Sequence, residues 1–119
     1  MMILIVDDEK EIVELLKDRF IIKGHSVDTA YDGAKALELI KSDIYDLVFL
    51  DHNMPGLTGL ELVRYIKEND LRPKIAIITG YEEIDEFFMK GRGADEYLIK
   101  PVNIKDIDDI IDKYSKLSR

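Results

Sequence analysis

Five side chains stand where apolar runs end. Ile3-Leu4-Ile5-Val6 stops on Asp7 and Asp8, Leu47-Val48-Phe49-Leu50 on Asp51, Ile75-Ala76-Ile77-Ile78 on Thr79, and Tyr97-Leu98-Ile99 on Lys100. Runs this short suit strands covered on both faces better than buried helices. If the four strands lie parallel in one sheet, these groups collect at its carboxyl edge, where open α/β sheets build their sites. Three carboxylates gathered there at neutral pH repel one another unless a proton or a cation intervenes. They offer hard oxygen ligands, and no set of Cys and His competes for a soft metal, so Mg²⁺ is the natural guest. A hydroxyl and an ammonium beside that cation complete a pocket for a phosphoryl group, whose transfer needs mainly positioning and charge neutralisation. A carboxylate can also attack phosphorus itself and form an acyl phosphate.

The intervening segments must hold these ends in place. Glu9 to Lys23 reads as a helix, with Ile12, Leu15, Leu16 and Phe20 at helical spacing and Gly24 at its end. Ser26-Val27-Asp28-Thr29-Ala30 is a short alternating strand suited to a sheet edge. Gly33 opens a second helix carrying Ala34, Leu37 and Ile40. Beyond Asp51, His52-Asn53-Met54-Pro55-Gly56 is loop chemistry. Leu60, Val63 and Ile66 mark a third helix ending near Asn69. A fourth carries Ile84, Phe87 and Phe88 and stops at Gly91-Arg92-Gly93. Ile104 to Leu117 forms the last, with Ile107, Ile110, Ile111 and Tyr114 as its apolar stripe. Five strands alternating with five helices imply one parallel sheet with helices on both faces and right-handed crossovers, an α/β doubly wound fold. With the polar second strand at the edge, the first and third strands flank the switch point and set Asp7, Asp8 and Asp51 side by side.

Composition narrows the function classes. At 119 residues the chain reads as one domain over 1–119, large enough for an ordinary core. A net charge of −8 argues against a nucleic-acid surface, and no apolar run reaches the eighteen residues of a membrane span. Cysteine is absent, which excludes disulfides and thiolate chemistry. With no basic stretch ahead of the first apolar run, the expectation is a cytoplasmic protein.

The motif set resembles the receiver domain of bacterial two-component response regulators, in the manner of single-domain chemotaxis and sporulation receivers. Asp7-Asp8, Asp51 in Asp-His-Asn-Met-Pro-Gly, Gly59, Thr79, the Gly93-Ala94 pair and Lys100-Pro101 occur in that order along the whole chain. The resemblance implies a flavodoxin-like sheet of order 2-1-3-4-5. It implies Asp51 as phosphoacceptor, taking a phosphoryl group from a sensor histidine kinase or histidine phosphotransfer protein and signalling to a downstream protein. It implies Mg²⁺ bound by Asp8 directly, by Asp7 largely through water, by Asp51 and by the backbone carbonyl of Asn53. Thr79 and Lys100 would hold phosphoryl oxygens, the Lys100–Pro101 bond would be cis, and Tyr97 would be the aromatic switch. Such a protein is a phosphoacceptor that assists its own phosphorylation and dephosphorylation rather than a separate enzyme. His52 and Gly80 depart from the commoner residues, and Asn53 and Tyr81 sit where the family tunes acyl-phosphate hydrolysis.

Other readings remain beside these. A Mg²⁺-dependent phosphatase with an aspartyl nucleophile would need a second acid two places on, where this chain has Asn53, and a cap domain. A flavin-binding module of the same topology would need a phosphate loop in place of Asp7-Asp8-Glu9. Asp7 and Asp8 could simply cap the first helix, Tyr97 could be core packing, and His52 a solvated loop residue. Glu82, Glu83, Asp85 and Glu86 suit an acidic helix start. Of Phe87 and Phe88, one is expected to point inward and the other to be surface or part of an output face. Val13, off the expected stripe, reads either as a docking contact for a kinase helix with Ile12 or as the edge of the core.

Overall fold

The computed structural model describes residues 1–80 and 86–117. The elements run β1 (Met2–Val6), α1 (Lys10–Ile22), β2 (Ser26–Ala30), α2 (Gly33–Ile40), β3 (Leu47–Asp51), α3 (Gly59–Glu68), β4 (Lys74–Thr79), α4 (Glu86–Gly91), β5 (Glu96–Ile99) and α5 (Ile104–Leu117). All strand pairs are parallel, and the sheet order is β2-β1-β3-β4-β5. The polar strand β2 is one edge, and β1 and β3 are neighbours, as expected from their composition.

Period-two alternation divides the core into two layers. Leu4, Val6, Val48, Leu50, Ile75 and Ile77 face one side and pack with Ala36, Ile40, Leu62, Val63, Ile66 and Met89 from α2, α3 and α4. Ile3, Ile5, Leu47, Phe49, Ala76 and Ile78 face the other and pack with Val13, Leu16 and Phe20 of α1 and the Ile107, Ile110, Ile111, Tyr114 stripe of α5. The β1, β3 and β4 interiors are buried from both sides, which is why their sequences read as continuous apolar runs rather than alternating ones.

The helix faces differ in part from the sequence expectation. The buried stripe of α1 is Val13, Leu16 and Phe20, while Leu15 is 60% exposed, so Val13 is core and not a docking contact. Ala36 rather than Ala34 turns inward from α2, and Leu62 joins Val63 and Ile66 while Leu60 is half-buried. In α4 neither phenylalanine is inward: Phe87 is 89% and Phe88 41% exposed, and Met89 fills the core. Ile84, with the expected acidic positions Glu82, Glu83 and Asp85 and with Tyr81, lies outside the described residues.

Local chemistry sets the helix starts that flank the sheet's carboxyl edge. Asp32 accepts the Lys35 N–H at the head of α2. Thr58 and Glu61 form a reciprocal capping box at the head of α3. Gly59 opens α3 against the Asp51–His52 backbone. A Cβ there would meet the His52 Cα at 2.9 Å and the Asp51 carbonyl oxygen at 3.0 Å, so only glycine lets this helix start so close to the end of β3.

Candidate functional site

Asp7 and Asp8 follow β1, Asp51 ends β3, Thr79 ends β4, and Lys100 follows β5. The β1–β3 and β3–β4 registers bring these ends level, with Asp51 opposite Ile78. One carboxylate oxygen from each of Asp7, Asp8 and Asp51 lies within 4.8 Å of the others. Asp7 and Asp51 are buried, and Asp8 is exposed. Lys100 reaches across this cluster. Its Nζ donates to Glu9 Oε1 at 2.8 Å and to Asp51 Oδ2 at 3.2 Å, and ion-pairs with Asp7 Oδ2 at 3.2 Å. The Lys100–Pro101 peptide is cis.

The Asp7 and Asp51 carboxylates are each held by the backbone N–H two residues on. Asp51 Oδ1 accepts the Asn53 N–H at 3.0 Å, and Asp7 Oδ1 accepts the Glu9 N–H at 2.9 Å. Asp7 Oδ2 is the one buried side-chain polar atom without a hydrogen bond among the described residues. Burial raises the Asp7 carboxyl to about 6, with the Asp51 charge pushing the same way and the Glu9 N–H and Lys100 opposing. Burial works against the Lys100 ammonium, but its bond to Glu9 and the Asp51 and Asp7 charges outweigh that and raise its pKa. A buried oxygen whose charged partner, the Lys100 ammonium, is shared with Asp51 and Glu9, in a crowd of acids, is the condition under which a hard cation is favourable. The donor set of carboxylate oxygens from Asp7, Asp8 and Asp51 therefore fits Mg²⁺.

Thr79 is fully buried, and its hydroxyl donates to Asn53 Oδ1 at 2.9 Å. The Gly80 N–H donates to the same oxygen at 3.0 Å. Ile77 pairs with Tyr97, and Thr79 lies two residues beyond Ile77, so Thr79 and Tyr97 share the sheet face covered by α2, α3 and α4. Tyr97 is half-buried there and packs on that core.

Three contacts were not read from the sequence. Glu9 is a partner of Lys100, and its only signal was adjacency to Asp7-Asp8. The Asn53 side chain binds the end of β4, a contact the resemblance did not imply, since it gave Asn53 a backbone carbonyl for the metal and a place where acyl-phosphate hydrolysis is tuned. His52 is neither free loop nor core: its Nδ1 accepts the Leu60 N–H at 3.3 Å, tying the loop to the head of α3. Its pKa is lowered, by burial against the opposing charge of Asp51.

An acidic pocket at the carboxyl edge of a 2-1-3-4-5 sheet, with a lysine bridging it, defines a class, and comparison with known proteins gives the same one. Residues 3–112 match the response regulator receiver domain, and the chain belongs to that family. It is a phosphorylatable signalling switch of two-component systems. It is similar to the response regulator ArlR of Staphylococcus saprophyticus, at 35% identity over 105 residues, covering 88% of this chain and 48% of that protein. ArlR of Staphylococcus aureus matches to the same extent, so the chain spans about half the length of these relatives. Among solved structures, TrrA of Thermotoga maritima in complex with Mg²⁺ and beryllofluoride is 38% identical with a TM-score of 0.84, covering 95% of this chain and 97% of that one. The Francisella response regulator 1452 receiver domain is 27% identical with a TM-score of 0.92, covering 99% and 98%. Nothing in these matches favours the phosphatase reading.

Proposed function

We propose that Asp51 is the phosphoacceptor, taking its phosphoryl group from a phosphohistidine on a sensor histidine kinase or a histidine phosphotransfer protein. The observation that carries this reading is the convergence of Asp7, Asp8 and Asp51 oxygens within 4.8 Å, bridged by Lys100. An Asp51 carboxylate oxygen forms a bond to phosphorus as the phosphorus–nitrogen bond breaks, and the leaving imidazole keeps the electron pair and takes up a proton. Lys100, raised in pKa and so charged at every physiological pH, meets the negative charge on the transferred oxygens. The Thr79 hydroxyl and the Gly80 N–H are further donors at the same edge.

Asp7, Asp8, Asp51 and the Asn53 carbonyl would hold Mg²⁺. Bound there, the cation supplies neutralisation of the phosphoryl and carboxylate charge. By supplying these groups, the chain assists its own phosphorylation and the later loss of the phosphoryl group to water. Movement of the Thr79 hydroxyl toward the phosphoryl group opens space that Tyr97 fills, and a downstream protein reads the altered α4, β5 and α5 surface. The exposed Phe87 and Phe88 belong to that surface. In this reading 1–119 is one receiver domain working in the cytoplasm, consistent with no described helix being long and apolar enough to cross a membrane.

The test is incubation with acetyl phosphate, with and without Mg²⁺, read by intact mass. One added phosphate that needs Mg²⁺ supports the reading. Phosphorylation unaffected by chelator overturns it.

A further inference from the structure

Two donors at the end of β4 converge on one oxygen. The buried Thr79 hydroxyl lies 2.9 Å and the Gly80 N–H 3.0 Å from Asn53 Oδ1. Asn53 itself is fixed by its own N–H, which donates to Asp51 Oδ1 at 3.0 Å. Asn53 thus touches both sides of the site: its backbone N–H holds the carboxylate expected to be modified, and its side-chain oxygen holds the donors expected to receive the modification. An acyl phosphate on Asp51 brings new acceptor oxygens to this edge. Thr79 and Gly80 can serve those oxygens only by releasing Asn53.

We propose that the Asn53 side chain is a positioning residue that occupies the phosphoryl group's donors in the resting state, an internal acceptor with which the phosphoryl group must compete. It rests on the reading of Asp51 as phosphoacceptor and adds a determinant of how readily the active state is reached. The device is local and two-state: Thr79 and Gly80 bond either to Asn53 or to the phosphoryl oxygens. Tyr97, on the same sheet face as Thr79, follows whichever partner Thr79 takes. Removing the Asn53 acceptor leaves a buried hydroxyl with one partner fewer at rest, which raises the resting state and not the occupied one. The effect on binding of a phosphoryl mimic is therefore a gain.

The experiment uses Asn53→Leu, which keeps the bulk and removes the acceptor, and Asn53→Ala, which removes both. Beryllofluoride is titrated calorimetrically into each Mg²⁺-loaded protein, with Mg²⁺ affinity measured separately to normalise for changes at the cation site. Thermal melts are recorded for every form. Two exchanged hydrogen bonds predict beryllofluoride affinity about tenfold tighter in both variants, alongside a lowered melting temperature of the unliganded forms. A side chain that serves only the loop's stability would lower the melts of free and bound forms alike and leave the affinity unchanged, and that result overturns the proposal. Weaker binding in the folded Leu variant overturns it as well. Wild-type protein that binds no beryllofluoride removes the reading of Asp51 and this proposal with it. Wild type that binds while neither variant binds more tightly removes this proposal alone.

Discussion

In the absence of divalent cation, replacing Asp7 by asparagine should stabilise this protein, by an amount that grows as pH rises through the window in which the unfolded carboxyl is ionised and the folded one is not. Asp7 is 3% exposed, has one oxygen without a hydrogen bond, and has its carboxyl raised from 3.8 to about 6, chiefly by burial. Because the folded value is the higher one, the native state binds more protons than the unfolded chain between these two values. Stability therefore falls as pH rises through that window, and the cost is fully present above it. The displacement corresponds to about 3 kcal/mol as a ceiling, at roughly 1.4 kcal/mol per pH unit. Asparagine keeps the acceptor for the Glu9 N–H but gives up the attraction of Lys100, which leaves a net gain of about 1–2 kcal/mol. For a chain of this length that is a rise of about 4–10 °C in Tm. The assay is thermal unfolding of both proteins in chelator across pH 4 to 8, followed by circular dichroism. The difference should be near zero at the acid end and grow to its plateau by neutrality, and Mg²⁺ should then favour the wild type. A difference constant across the series would refute the reasoning, since it would show that the charge on Asp7 carries no cost in the folded state.

Gly59→Ala should cost about 1–3 kcal/mol and slow phosphorylation, because the new Cβ meets backbone at Asp51 and His52 that cannot move without displacing the acceptor. Chemical denaturation and acetyl phosphate kinetics read the two effects. Met89→Ala should destabilise by about 2–5 kcal/mol through a core cavity, whereas Phe87→Ala, at a side chain 89% exposed, should leave the denaturation midpoint nearly unchanged. The chain has no tryptophan, so Tyr97→Trp provides a single emission reporter. Mg²⁺ with beryllofluoride should shift its spectrum, and adding Thr79→Ala should blunt the shift; an unchanged spectrum at saturating mimic would make Tyr97 a packing residue.

The strand framework was legible because β1, β3 and β4 are buried on both faces, so each is an apolar run that a polar residue ends. Those polar residues are the site, which made the site as readable as the sheet. Helix faces were harder. In α1, Ile12, Leu15 and the Val13–Leu16–Phe20 stripe are all apolar, and spacing alone does not say which row meets the sheet. The outer row, Ile12 and Leu15, lines an open surface cavity of about 530 Å³ with Glu9, Lys100 and Pro101. Around α4 the two phenylalanines are the larger apolar side chains, but the inward position on that short helix falls to Met89, which is fully buried. The Asn53 contacts were hidden for another reason. A side chain that bonds across 26 residues to a neighbouring strand end leaves no local pattern, and only the folded register brings Thr79 and Gly80 within its reach.

The central claim is that one carboxylate, Asp51, carries the phosphoryl group. Treating the protein with acetyl phosphate and Mg²⁺ and then reducing it with borohydride converts an aspartyl phosphate to homoserine, which peptide mass spectrometry locates. Homoserine at position 51, absent from Asp51→Asn, is the predicted result. Homoserine at position 7 or 8, or label that persists in Asp51→Asn, would contradict the account.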